Sequence, residues 1–553
     1  MDYNKLAQLL YPEVDKDVDY YYKKYADRNL PCGAQVTRFA PSPTGFFHIG
    51  GLYQSIIHYF VALKSNGVFY LRLEDTDQKR KIDEAGDVVY YCLQLFDVLP
   101  SEGYRGSHLP QIGDYGPYIQ SERIDIYKCF AKHLVMLGRA FPCFCDKAES
   151  KEDILKRREE DLEVSDTIAE HDPCRMLSLE EIEHNIKSGK KWALRLLSKG
   201  DVNKTFECVD EIKGNRVLHE NGKDIVLMKS NGIPPYAFAH LVDDTLMHTT
   251  MVIRGEEWFQ SVPAHIELFK AFGLTPPRYA HTPVICKLDN GNKRKLSKRK
   301  DPEADARFYF ETGYPSRAVI EYLVNLTNSD FEMWRSANPD KDVWDFDFDL
   351  HKMGGNNPMF DFNKLNDYSK NLIAKMTAGE VYESVLSWAK SYDSKFAEYL
   401  QLNKEYAINV FDIDRNIAKP RKDLIYWSQV KDYYDYMFNS YSDLHISFDM
   451  YPKVDKELIL KILNKYTQIF DANDDKNIWF DKVKLIAGEL GFCLNNAEYK
   501  AHPQDYVGNL ADICGIIRVA FTGKQNTPDL FSICKVLGVD ELCARVDYLK
   551  NSL

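Results

Sequence analysis

Residues 36–73 read strand, loop, helix, strand, and that order leaves little choice of fold. Val36-Thr37-Arg38-Phe39 is a short apolar run stopped by Pro41, Pro43 and Gly45. From Gly50 to Asn66 apolar residues recur at helical spacing (Leu52, Ile56, Ile57, Phe60, Leu63), and Gly67 suits the position just past a helix end. Val68 to Leu73 reads as a second strand, followed by the acidic loop Glu74-Asp75-Thr76-Asp77. Two strands joined through a helix predict a βαβ unit, hence a parallel sheet inside an α/β domain.

The rest of the chain extends this start. A helical stretch from Glu122 to Leu137 ends at Gly138, and Ser178-Leu179-Glu180-Glu181 carries the capping-box pattern of a further helix. The residues around it are charged and irregular until strand-like sequence resumes at Asp224-Ile225-Val226-Leu227-Met228-Lys229, which predicts a sheet domain interrupted by an insertion. Beyond about residue 310 strand alternation fades and the chain reads as helices with Trp and Tyr on apolar faces. At roughly 150 residues per domain, 553 residues suggest three or four domains. No run approaches the roughly 18 apolar residues of a membrane helix, and the N-terminus lacks a signal-peptide pattern, so a soluble cytoplasmic protein is expected. The 12 scattered Cys fit free thiols in a reducing compartment. A net charge of −12 does not exclude a nucleic-acid partner, because phosphate binding depends on where Lys and Arg cluster.

Two segments carry chemistry. Arg38-Phe39-Ala40-Pro41-Ser42-Pro43-Thr44-Gly45-Phe46-Phe47-His48-Ile49-Gly50 joins the first strand to the helix. In an open parallel sheet ligands bind beyond the carboxyl ends of strands, where the next helix offers free N–H groups to phosphate. Gly50 and Gly51 would let a base or phosphate approach the backbone, and His48 can donate to a phosphate oxygen. The second segment, residues 287–300 (KLDNGNKRKLSKRK), is densely basic and suits a mobile loop closing on a polyphosphate.

Together these segments resemble the HIGH and KMSKS signatures of class I aminoacyl-tRNA synthetases. RFAPSPTGFFHIGG and Leu73-Glu74-Asp75-Thr76-Asp77 take the form found in glutamate–tRNA ligases, and Lys295-Leu296-Ser297-Lys298-Arg299 stands for KMSKS. Tyr236 to Asp244, Val252 to Trp258, Gln120-Ser121-Glu122-Arg123 with Tyr127, and Lys229-Ser230-Asn231-Gly232 match further stretches of that family. The resemblance runs from about Thr37 to Asp301 and returns more weakly at Ala520-Phe521-Thr522-Gly523. It departs at His240, Thr245 and Asn231, where the family usually has Asn, His and Asp.

The resemblance implies a Rossmann-like catalytic domain over 33–130 and 225–305, an acceptor-stem-binding insertion over 131–224, and an N-terminal extension over 1–32. A stem-contact region over 306–400 and mainly α-helical anticodon-binding domains over 401–553 complete it. It implies ATP-dependent attachment of L-glutamate to tRNA-Glu through a glutamyl-adenylate, with Mg²⁺ as the ATP counter-ion, by a monomer. Charging of tRNA-Gln as well is compatible with the motifs. His48 and Lys298 are the expected catalytic groups. Arg38, Ala40, Ser42, Glu74, Tyr236 and Arg254 are the expected glutamate ligands, with His240 lining the same pocket. ATP is expected at His48, Gly50, Gly51, Glu257, Ile285, Lys295, Leu296, Ser297, Lys298 and Arg299.

Cys143-Phe144-Cys145 and Cys174 echo a CxC…C zinc pattern of some glutamate ligases. A closed zinc site needs four ligands. Glu170 and Met176 occupy the usual fourth positions, so His171 is the nearest candidate and no resident metal is assigned. A glutamine–tRNA ligase is the nearest rival, disfavoured by APSPTG where that family reads PPEPNG. A tRNA-base glutamyl transferase would lack residues 310–553. A small-molecule nucleotidyltransferase would not need them, and an inactive tRNA scaffold would not need His48, Lys298 and Glu257.

Overall fold

Strands Val36–Phe39, Val68–Leu71 and Glu102–Gly103 form a parallel sheet in that order, with Arg38 opposite Tyr70 and Tyr70 opposite Glu102. The crossover is the helix Ile49–Lys64, whose Leu52, Ile56, Ile57 and Phe60 are fully buried. The βαβ expectation holds, but Gly67 is needed for another reason. The left-handed residue is Asn66 (φ 53°), whereas a Cβ on Gly67 would stand 1.9 Å from the Gln35 carbonyl oxygen.

The computed structural model describes residues 1–76, 82, 84–145, 173–297 and 299–552, which leaves Asp77, His171 and Lys298 of the expected set outside the described residues. The chain divides into two units, Met1–Phe308 with Ile320–Asp361, and Tyr309–Val319 with Phe362–Leu553.

In the first unit a second sheet has the order Gly214–His219, Thr205–Asp210, Arg278–Thr282, Met251–Gly255; the last two strands run parallel, with His281 opposite Arg254. The two sheets meet where Thr250 N donates to Val36 O at 3.0 Å. A third sheet, Ala140–Cys143, Ala193–Leu196 and Val226–Met228, is antiparallel throughout. The Ser178 capping box forms as expected, Glu181 N donating to Ser178 Oγ at 3.2 Å and Ser178 N to Glu181 Oε2 at 2.7 Å.

Residues 1–32 look in sequence like a polar extension, yet they belong to the core of this unit. Helices Tyr3–Leu10 and Val18–Lys24 are capped by Asp2 and Asp17 and bury Leu6, Ala7, Leu10, Val18 and Tyr21 in one apolar cluster with the helix Ile124–Met136. Full burial of each such Leu contributes about 2 kcal/mol.

The second unit is helical, with long spans at Ala378–Tyr392, Lys456–Ile469, Lys476–Glu489 and Leu510–Thr522. Its described strands are the two-residue pair Phe492–Cys493 and Gly508–Asn509. The span Leu530–Ser552 is broken at Gly538, whose φ of 77° no helix accommodates.

Arg28 fastens the extension. It makes a two-pronged ion pair with Glu102 (2.7 and 3.0 Å), donates from Nε to Met247 O at 3.0 Å, and lies 3.8 Å from the Tyr115 ring centroid. Arg28→Ala removes the cation from the Glu102 carboxylate, leaving it the Tyr118 hydroxyl at 3.0 Å, and should lower stability by about 3 kcal/mol. Urea unfolding of the purified variant checks this, and a loss below about 1 kcal/mol, the worth of an exposed pair, would make the contact a surface one.

Candidate active site

The Pro-rich loop delivers His48 to the first position before the helix Ile49–Lys64. There its Nδ1 accepts from Gly50 N at 2.9 Å. An accepting Nδ1 places the neutral ring's proton on Nε2, the tautomer that can donate to a phosphate. The two glycines answer to the protein's own packing. A Cβ on Gly50 would lie 3.0 Å from His48 Nδ1, and one on Gly51 would lie 2.6 Å from the Phe47 ring.

A cavity of about 560 Å³ opens here, lined by His48, Gly50, Gly51, Tyr53, Gln54, Glu257, Pro283, Val284, Ile285, Lys295, Leu296 and Ser297. It gathers the expected ATP residues apart from Arg299, which is not on its wall, and Lys298. Ile285 O already accepts from Leu296 N at 3.0 Å, which leaves the Ile285 N–H as its backbone donor.

Within the basic run residues 286–295 form a hairpin, and Leu296 and Ser297 follow it without regular structure. Cys286–Asp289 pairs antiparallel with Asn292–Lys295 across Asn290-Gly291, both at positive φ (50° and 82°), the two-residue turn that matches strand twist. Part of its charge is neutralised internally. Arg294 pairs with Asp289 (2.6 Å) and by two prongs with Asp301 (2.7 and 2.8 Å), while Lys287 pairs with Glu303 (2.5 Å). The Arg294 bonds hold the Asp301 carboxyl below the usual carboxylate range, and Asp301 also accepts from Ser297 N at 2.7 Å. Lys295 stays 58% exposed, 3.7 Å from Glu257, so its charge remains available to a ligand.

A second cavity of about 220 Å³ adjoins the first, sharing Gln54 and Glu257. All six expected glutamate residues, Arg38, Ala40, Ser42, Glu74, Tyr236 and Arg254, stand on its wall. His240 does not. It is wholly buried behind Tyr236, the rings stacked at 5.5 Å, with Nδ1 2.6 Å from Asp244 Oδ2, and burial pushes its pKa down to about 4 against the pull of Asp244.

Asp244 is the hub of this site. Arg38 Nε lies 3.2 Å from Oδ2 and Arg72 Nη1 2.7 Å from Oδ1, all three side chains buried. Arg72 also holds Glu74 Oε1 at 3.0 Å. Glu74 therefore does have a structural arginine, but it is Arg72, and the acid beside Arg38 is Asp244. Arg38 gives a further N–H to Ile253 O at 3.4 Å. Of a guanidinium's five N–H groups, Arg38 thus keeps three, enough to grip a carboxylate through both Nη atoms.

Sequence reading missed Gln54, His58 and Trp258 on these walls. Gln54 and His58 sit among the helix's apolar positions with no local pattern to mark them. Trp258, whose ring lies 4.5 Å from that of Tyr236, ends the family-like stretch Val252 to Trp258, where an aromatic beside two glutamates is its only sequence signal. Separately, the sulfurs of Cys143, Cys145 and Cys174 lie within 4.8 Å of one another.

Asp244→Asn removes the anion between two buried guanidiniums and should cost about 4 kcal/mol at neutral pH. Burial disfavours the Asp244 carboxylate, but the Arg38 and Arg72 charges outweigh that and hold its pKa well below the ordinary value. The folded pKa is depressed, so the contribution is complete above the unfolded value of about 3.9 and is lost as pH falls below it. Urea unfolding of wild type and variant should show the gap narrowing between about pH 5 and pH 3. A gap that does not change with pH would refute the charge-based account.

The chain matches, over residues 35–337, the family described as "tRNA synthetases class I (E and Q), catalytic domain", and over 507–550 the "Anticodon binding domain". It is 44% identical to the glutamate–tRNA ligase of Acetivibrio thermocellus, over 99% of this chain and 100% of the relative, and 42% identical to that of Clostridium perfringens, over 99% and 100%. A crystal structure of a glutamate tRNA ligase from Elizabethkingia meningosepticum in complex with its amino acid has the same fold (TM-score 0.73, 22% identity, covering 94% of this chain and 99% of that one). With two adjoining cavities between the strand ends and relatives matched over nearly their whole length, the chain belongs to the glutamate–tRNA ligase family of class I tRNA synthetases.

Proposed function

We propose that this enzyme attaches L-glutamate to tRNA-Glu at the expense of ATP, by way of glutamyl-adenylate. The observation that carries this is the pair of adjoining cavities sharing Gln54 and Glu257. Two ligands bound there would meet head to head, which is what attack of a carboxylate on an α-phosphate requires. The charged groups suit glutamate in the smaller cavity. Its wall carries two guanidiniums, Arg38 and Arg254, and two carboxylates, Glu74 and Glu257, the latter 3.7 Å from Lys295. Glutamate brings two carboxylates for the guanidiniums and one ammonium for an acid.

Neither step needs a protein nucleophile. Glutamate's α-carboxylate attacks the α-phosphorus of ATP and pyrophosphate leaves; the terminal ribose hydroxyl of the tRNA then attacks the mixed anhydride and AMP leaves. The protein's part is in-line placement and cation for the departing charge. His48 Nε2–H and the Lys295–Arg299 loop supply it, and Mg²⁺ enters with ATP as its counter-ion. The insertion 131–224 would receive the acceptor stem and the helical region 401–553 the anticodon, in line with the anticodon-domain match at 507–550. All 12 cysteines are free of disulfides and no described helix is long and apolar enough to cross a membrane, which suits the cytoplasm.

Lys298 is assigned the leaving pyrophosphate. Lys298→Ala should slow glutamate-dependent ATP–pyrophosphate exchange, measured with tRNA-Glu present, by about 10²-fold or more, with little change in glutamate KM. Exchange near the wild-type rate would end that assignment, and wild-type protein that charges no tRNA-Glu would end the functional reading.

The three clustered thiols suit part of a structural zinc site. Cys145 and Cys174 sulfurs lie 3.7 Å apart, against about 3.8 Å for the edge of a tetrahedron with Zn–S of about 2.3 Å. His171 is the nearest fourth ligand in sequence. Such an ion would fasten the Ala140–Cys143 strand to the segment at Cys174 and take no part in either chemical step. Metal analysis should find about one zinc per chain, lost in Cys174→Ser together with thermal stability. Metal-free protein of unchanged melting temperature would leave the cysteines as plain thiols.

A further inference from the structure

Arg254 is 5% exposed on the wall of the smaller cavity, and most of its donors are already directed elsewhere. Nε donates to His281 Nε2 at 3.0 Å, Nη1 to Tyr236 OH at 3.1 Å and His265 Nδ1 at 3.2 Å, and Nη2 to Trp258 O at 3.3 Å. Of the five N–H groups, one on Nη2 remains for a ligand. The direction of that single donor is set by the acceptors behind it.

His281 is the acceptor with a fixed tautomer. Its ring is fully buried and Nδ1 lies 2.6 Å from Asp210 Oδ2. A carboxylate only accepts, so Nδ1 carries the proton and Nε2 turns its lone pair to Arg254. Asp210 is itself held by the N–H groups of Ile212 (3.0 Å), Lys213 (2.8 Å) and His281 (3.1 Å). His281 stands opposite Arg254 in neighbouring parallel strands, and Asp210 ends the next strand, so three strands lock the chain of contacts. Neither Asp210 nor His281 lines the cavity.

We propose that Asp210 and His281 are positioning residues for the amino-acid step: Asp210 fixes the His281 tautomer, and His281 Nε2 aims the remaining Arg254 N–H at a carboxylate of the bound amino acid. The inference rests on Arg254 being a glutamate ligand. A reversed imidazole would set an N–H against the Arg254 Nε–H and turn the guanidinium away.

The test compares two replacements that keep different halves of the imidazole. His281→Asn retains a donor to Asp210 but no acceptor for Arg254. His281→Gln can carry an acceptor to where Nε2 stands. His281→Asn should raise glutamate KM in pyrophosphate exchange by about tenfold or more, with ATP KM unchanged, and His281→Gln should recover most of that loss. A purely structural role predicts equal losses in both variants, in melting temperature and in both KM values, and would overturn the proposal. Arg254→Gln is run in parallel. A large rise in its glutamate KM with none in His281→Asn overturns the inference alone, whereas no rise in Arg254→Gln overturns the ligand assignment beneath it. Should the Asn variant not fold, ¹⁵N-histidine spectra of the wild-type enzyme decide: protonated Nδ1 with bare Nε2 on His281 supports the proposal, and the opposite tautomer overturns it.

Discussion

One buried carboxylate, Asp244, lies between two buried guanidiniums, Arg38 and Arg72, and the geometry of the site follows from that arrangement. Removing three charges from water is costly, and each is tolerable only because the others are in place. The arrangement also fixes elements to one another: Arg38 lies on the first strand, Arg72 just past the second, and Asp244 on the helix Tyr236–Leu246. Because Asp244 engages Arg38 through Nε, the outer face of that guanidinium is turned to the cavity. Arg72 takes the remaining Asp244 oxygen and still reaches Glu74, so one of the cavity's two acids is anchored through the same hub.

The parts legible in sequence are those set by local rules. The βαβ unit, the capping box at Ser178 and the helical second unit follow from periodicity and capping chemistry, which act within a few residues. The six residues expected around an amino acid converge on one wall, and each belongs to a stretch that resembles the family. Less legible were features set by distant partners. Residues 1–32 read as polar, yet Leu6, Leu10 and Val18 find their complement on a helix more than a hundred residues away. Asn290-Gly291 is a strong cue for the hairpin over 286–295, although the dense charge of residues 287–300 draws attention first to a mobile loop. No pattern announced that Asp301 and Glu303 would neutralise Arg294 and Lys287, leaving Lys295 exposed.

Glycine shows the same division. Gly50 and Gly51 suggested room for a ligand, and both do line the larger cavity. The space a Cβ would need is nevertheless taken by His48 and Phe47 of the protein. These glycines let the motif loop fold tightly against its own helix, which brings Nδ1 of His48 to the Gly50 N–H and so sets the tautomer. Their effect on a phosphate would be transmitted through His48 as well as by direct approach.

The two arginines of the smaller cavity are not equivalent, and the difference bears on amino-acid choice. Arg38 keeps three N–H groups and can take a carboxylate bidentately; Arg254 keeps one. An amide in place of a carboxylate would bring its own NH₂ against Arg38, leaving donors facing donors in a buried site. The same substitution at Arg254 costs less, because one donor can still find the amide oxygen. On the proposed glutamate site, discrimination between glutamate and glutamine would rest on Arg38, the arginine beside Asp244, and general carboxylate attraction on Arg254, the one beside His281. Leaving buried polar groups unpaired is what allows a site to reject an isostere by about 10⁴-fold. The buried ion pairs thus do more than tie the first sheet to the helix Tyr236–Leu246: on the proposed site they would decide which N–H groups are left for the ligand.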